Sequence, residues 1–188
     1  AFYGRVGTTC QDFGTLASWG VALVNALTGN LDRPGGVMFT NPAVQPGRLR
    51  DKSEARFGRF RSRVLGLPET FGELPVSTLA DEILTPGEGQ VRALVTVCGN
   101  PCLSTPNAAR LTEALGQLDF MVSLDVYLNE TSRHADVILP GPTPLERPHY
   151  DIALYQLAVR NVANWTPAVL PTDLPQEWEN LLRLTAIV

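Results

Sequence analysis

The sequence predicts an α/β protein built on a mostly parallel sheet, and three observations carry that expectation. Three short apolar runs, Arg92–Cys98, Asp119–Leu124 and Asp136–Leu139, each stop at an abrupt polar or proline-bearing turn. Between the first two, Pro106–Leu118 places Leu111, Ala114, Leu115 and Leu118 at helical spacing. The unusual residues also follow the strands: Gly99-Asn100-Pro101, then Asp125, then Pro140-Gly141-Pro142. Strands that alternate with helices require crossover connections, so the strands near 92–97, 119–124 and 136–139 should run parallel. The expected architecture is a Rossmann-like sheet in three layers. Such sheets take ligands at the carboxyl ends of their strands, where Asn100 and Asp125 would lie.

The other elements follow in chain order. Residues 1–3 look like part of a strand, and Gly4 to Gln11 form a glycine- and threonine-rich turn. A helix is expected from about Asp12 to Thr28, with Leu16, Trp19, Gly20, Leu23 and Leu27 as its buried stripe. Gly29 and Pro34 stop it. Residues 33–72 lose all periodicity. Pro34-Gly35-Gly36, Asn41-Pro42 and Pro46-Gly47 break the chain, and Arg48, Arg50, Arg56, Arg59, Arg61 and Arg63 crowd one segment. A structureless excursion of that length is a solvated loop or a functional one. Helical spacing returns over Leu74–Leu84 and ends at Pro86-Gly87. Ile152–Val162 reads as a strand pair or an irregular cover. A last helix is expected within Leu174–Ile187, with Trp178, Leu181, Leu182 and Thr185 on one face.

Composition narrows the function classes. The 188 residues, 44% hydrophobic and 18% charged, suit a globular domain with a core of its own. No apolar run approaches the roughly 20 residues that span a bilayer. The net charge of -4 argues against a general nucleic-acid binder. Fourteen of the fifteen basic side chains are arginine, with Lys52 the exception, a bias that codon usage explains. Cys10, Cys98 and Cys102 form neither an even disulfide framework nor a zinc or iron–sulfur spacing, which is compatible with a reducing compartment, the cytoplasm. A start already inside folded sequence suggests a fragment of something larger.

Several residues invite chemistry. The turns at Gly99-Asn100-Pro101 and Gly4–Gly7 follow expected strands and open helices, where free N–H groups can meet an anion. Neither is a complete phosphate-binding fingerprint, and each reads equally as an ordinary turn. Asp125 could accept two hydrogen bonds from a ribose diol or from the N1 and N2 donors of guanine; it could equally cap a helix or face solvent. His134-Ala135-Asp136 and His149-Tyr150-Asp151 repeat an H-x-D spacing, which raises a zinc or iron site. Histidines that do not ligate are the simpler explanation. No serine sits in a nucleophile elbow, and the sequons at Asn129 and Asn164 are short enough to arise by chance.

Four motifs together have a family character. LTGNLDRPGG at Leu27–Gly36, CGNP at Cys98–Pro101, DVYLNET at Asp125–Thr131 and ADVILP at Ala135–Pro140 resemble, in order and spacing, the DMSO reductase family of molybdenum enzymes. The resemblance covers roughly residues 2 to 165. Members hold molybdenum or tungsten between two molybdopterin guanine dinucleotides, each cradled by an α/β domain. The resemblance implies that residues 1–188 form part of one such domain in an oxidoreductase of the formate dehydrogenase or nitrate reductase type. It assigns Val6 and Cys10 to the pterin-facing turn, Asn100 to the guanosine end, Leu124 and Asp125 to the nucleotide-reading strand end, and Arg147 to a basic position there. Cys10 departs from the glutamine of many relatives.

The resemblance also implies what lies elsewhere: the metal-ligating residue, any 4Fe-4S cluster, the closing domain and any electron-transfer subunits. The chain alone is therefore expected to be metal-free and catalytically silent, with no nucleic acid among its partners and no membrane segment. The alternative from another class is a nucleotide- or nucleic-acid-binding interaction module that uses the arginine segment.

Overall fold

A computed structural model describes residues 1–43, 57–150, 157–160 and 162–187. The chain forms two compact units, Ala1–Asp51 with Tyr150–Trp165, and Lys52–His149 with Thr166–Val188.

In the first unit, helix α1 (Val6–Thr9) leads into α2 (Gly14–Leu27). The corner between them requires Gly14, because a Cβ there would lie 2.0 Å from the Thr9 carbonyl oxygen. The expected strand at residues 1–3 does not form, and part of the expected turn is helix α1. Asn25, buried on α2, instead accepts the Phe2 N–H and donates to the Phe2 carbonyl, both at 2.8 Å. A side chain thus satisfies the backbone groups that a strand ladder would have used. The expected apolar stripe of α2 is not buried either: Leu16 and Trp19 are exposed, as is Leu27 at 77%. The residues this helix buries are Gly14 and Asn25. Amphipathic spacing identified the helix, but burial needs a surface to pack on.

The second unit carries the parallel sheet. Strands β1 (Phe57–Arg61) and β2 (Pro68–Thr70) form an antiparallel hairpin, so the last part of the supposed excursion is ordered. Its organiser is the fully buried Glu69, which accepts from the Arg59 N–H at 3.0 Å, the Arg59 guanidinium at 2.5 Å and the Gly72 N–H at 2.7 Å. Arg61 donates to the Gly66 carbonyl, and Arg63 to Glu82 and the Thr85 carbonyl. These arginines serve the fold. Arg48, Arg50 and Arg56 lie outside the described residues, as do residues 151–156 and 161 of the 152–162 segment.

A 3-10 turn at Val76–Thr78 runs into α3 (Leu79–Leu84). Then come β3 (Ala93–Val97), α4 (Pro101–Ser104), α5 (Ala108–Leu115), β4 (Phe120–Leu124), a 3-10 turn at Ser132–His134 and β5 (Val137–Ile138). The sheet order is β3-β4-β5 and both pairings are parallel, with Val95 beside Val122 and Val122 beside Val137. This α/β arrangement is the one the alternating pattern predicts.

Period-2 alternation turns Leu94 and Met121 to the face where α3, α4 and α5 pack. Ile83, Cys102, Leu111, Ala114, Leu115 and Met121 form that core. Three of the four residues expected on one face of α5, Leu111, Ala114 and Leu115, are buried there, and Leu118 packs against them. The central β4 is buried on both pleats through Met121, Val122, Ser123 and Leu124. Edge strand β3 leaves Val95 and Val97 about half exposed. Short strands β6 (His149–Tyr150) and β7 (Trp165–Thr166) precede the terminal helix α6 (Glu177–Thr185). As on α2, its expected face is exposed at Trp178 and Leu182, whereas Asn180 is buried.

Candidate functional site

Parallel strands deliver their following loops to one edge, and the loops after β3, β4 and β5 meet there around a cavity of about 590 Å³. Cys98, Asn100, Asp125, Tyr127, Arg147 and Glu177 are among the residues that line it. Three of the six residues nominated from sequence, Asn100, Asp125 and Arg147, therefore share one cavity, and Leu124, the residue before Asp125, is buried at the end of β4. Val6 and Cys10 belong to the other unit, Val6 on α1 and Cys10 at its C-terminal cap, both exposed.

The β3 loop turns sharply, with Cys98 at a φ of 51°. Asn100 then caps α4 through its backbone: its carbonyl accepts the N–H groups of Leu103 and Ser104. The Cys102 N–H goes to the Thr131 hydroxyl at 3.0 Å, and Pro101 has none to give. The Cys102 N–H is thus committed to the neighbouring loop rather than to a ligand. The Asn100 side chain is held from two sides. It donates to Glu130 at 2.7 Å and accepts the Thr131 hydroxyl at 2.7 Å. The Asn100 amide holds the Glu130 carboxyl below its ordinary range.

Asp125, half-buried at the end of β4, accepts the Tyr127 N–H at 3.0 Å and the Asn129 amide at 2.9 Å. These bonds orient the carboxylate without saturating it. An ionised carboxylate has about four acceptor positions, so two remain for a ligand's donors. That donor–acceptor chemistry fits the N1–H and N2–H edge of a guanine.

Glu177, the first residue of α6, is the site residue that sequence reasoning missed. It pairs with Arg147 at 2.7 Å and accepts the Cys98 thiol at 3.2 Å. Partial withdrawal from water, then the Glu177 hydrogen bond, push the Cys98 thiol above its ordinary value of 9.0. The available signal was an acidic residue opening the last helix, but nothing local ties it to a loop thirty residues earlier.

Among the described residues no group of three or more His, Cys, Asp and Glu side chains is placed to hold an ion. His134 Nε2 is buried without a hydrogen-bond partner, Asp136 accepts the Met121 N–H at 2.7 Å, and Asp151 lies outside the described residues.

The family model described as molybdopterin oxidoreductase matches residues 2–171. The chain belongs to the molybdopterin oxidoreductase family. Among its relatives is the probable oxidoreductase YyaE of Bacillus subtilis, 30% identical over 132 residues, covering 68% of this chain and 18% of that protein. The assimilatory nitrate reductase catalytic subunit of the same organism is 42% identical over 59 residues, 31% of this chain and 8% of the relative. An F420-dependent formate dehydrogenase 1 subunit alpha from Methanococcus maripaludis is 34% identical over 70 residues, 37% of this chain and 10% of the relative. The chain thus spans less than a fifth of the length of these molybdopterin oxidoreductase relatives. No helix among the described residues is long and apolar enough to cross a membrane.

Proposed function

We propose that this chain is a cofactor-cradling segment of a molybdenum or tungsten oxidoreductase, and that it holds the guanosine end of one molybdopterin guanine dinucleotide. The observation that carries the reading is the cavity at the carboxyl ends of β3 and β4, which Asn100, Asp125 and Arg147 share. Asp125 would accept two donors of the guanine, and Asn100, itself held by Glu130 and Thr131, would order the wall beside it. Leu124, buried at the end of β4, would anchor the strand end. Val6 and Cys10 would contact the pterin. The metal, when bound, supplies the electron-transfer chemistry; this chain's residues bind and orient. Segments beyond this one would complete the site, so the chain by itself would turn over no substrate. The whole enzyme would work in the cytoplasm with electron-transfer subunits, on a substrate of the formate or nitrate kind. The nucleic-acid alternative loses support because Arg59, Arg61 and Arg63 are engaged within their own unit.

The test is Asp125→Asn in the complete parent enzyme. The asparagine amide replaces one acceptor with a donor, leaving a guanine donor unpaired. For a buried group that costs about 1–3 kcal/mol, or roughly fivefold to more than a hundredfold in affinity. Guanine released after denaturation, measured with metal content, should fall while the fold persists. Wild-type guanine content in a correctly folded variant would overturn the assignment.

A further inference from the structure

The Arg147–Glu177 pair has a consequence for what the cavity admits. Glu177 reaches Arg147 Nη1 through one carboxylate oxygen at 2.7 Å and the Cys98 thiol through the other at 3.2 Å. Neither side chain is freely exposed, with 33% of the Arg147 side chain and 27% of that of Glu177 accessible. The helix start that carries Glu177 is capped as well. Glu179 accepts the Gln176 N–H at 3.0 Å, which fixes the start of α6. Gly141 leaves the space the Glu177 stem needs, since a Cβ there would lie 3.0 Å from Glu177 Cγ. Arg147, the cationic residue of the lining, therefore already has its counter-charge from within the chain.

We infer that Glu177 is a specificity-determining residue of this cavity: it occupies the anionic partner position of Arg147, so the site accepts an uncharged nucleoside readily and a phosphate only by displacing Glu177. The inference rests on the nucleotide reading of the site given above. Its physical basis is that an anion approaching Arg147 meets a fixed carboxylate of like sign within a few ångströms, in a partly water-excluded site where screening is weak. The device selects for a ligand with enough binding energy elsewhere to break the pair. A long dinucleotide draws more binding energy from contacts elsewhere than a free mononucleotide does, so Glu177 would disfavour the common guanine nucleotides in this cavity.

The experiment uses the complete parent enzyme in its cofactor-free form, with guanosine and guanosine monophosphate as probes, binding being measured by calorimetry. Glu177→Gln and Glu177→Ala should each raise the affinity for the monophosphate relative to that for guanosine about tenfold over wild type. Faster alkylation of Cys98 in both variants, at an unchanged melting temperature, would show that the contact was removed and the fold kept. A merely structural Glu177 would shift both probes alike. Equal changes for the two probes, or none, overturn the inference and leave the nucleotide site standing, provided Asp125→Asn still weakens both. Failure of wild type and every variant to bind either probe overturns the site assignment and the inference together.

Discussion

The Thr131 hydroxyl joins the loops that follow two neighbouring parallel strands: it donates to Asn100 Oδ1 at 2.7 Å and accepts the Cys102 N–H at 3.0 Å. Thr131 is fully buried, so the bond to the Cys102 N–H is made away from water and the bond to Asn100 is partly so. One oxygen thereby sets the distance between the loop after β3 and the loop after β4, which form two walls of the cavity.

Removing that hydroxyl strands the Cys102 N–H. Thr131→Val should lower stability by about 1–3 kcal/mol, the usual cost of an unsatisfied buried donor. Thr131→Ser keeps the oxygen and should stay close to wild type. Urea unfolding of the three proteins checks the order, and a valine variant as stable as wild type would show the tie to be unimportant.

Glu69 predicts an acid-sensitive hairpin. The hydrogen bond from the Arg59 side chain, aided by the Arg59 and Gly72 N–H groups, pulls its carboxyl from 4.5 down to about 2. A carboxyl whose folded value is depressed stabilises the fold fully above its ordinary value. That contribution is lost as pH falls from about 4.5 through about 2. Glu69→Gln should melt lower than wild type at pH 7, and the gap should narrow on acidification through this window. A constant gap from pH 7 to pH 3 would contradict the account.

The packing difference between helices predicts an asymmetry in truncation. Leu115→Ala or Met121→Ala opens a cavity in the closed core and should cost about 2–5 kcal/mol. Leu16→Ala, on the exposed stripe of α2, should change stability by no more than about 0.5 kcal/mol in the chain by itself. Chemical denaturation would settle this, and a large loss at Leu16 would mean that the stripe packs after all.

How much was legible depended on the range of the interaction. The three parallel strands and α5 could be read because their signal is local: β-branched runs of strand length, helical spacing between them, and punctuation at Gly99-Asn100-Pro101 and Pro140-Gly141-Pro142. The same locality placed Asn100 and Asp125 at strand ends, and parallel topology then requires them to share an edge.

What the amino-acid sequence determined by itself was thus the order and kind of elements, the family they belong to, and which residues end the strands. Tertiary structure alone decided which apolar stripes are covered, because Leu16 and Leu115 carry the same periodicity and differ in having a surface to meet. It also decided the partners of charge. Glu69 with Arg59, Glu82 with Arg63 and Glu177 with Arg147 are separated by ten to thirty residues. Such pairing depends on where the backbone brings two side chains, and no pattern along the chain encodes that distance.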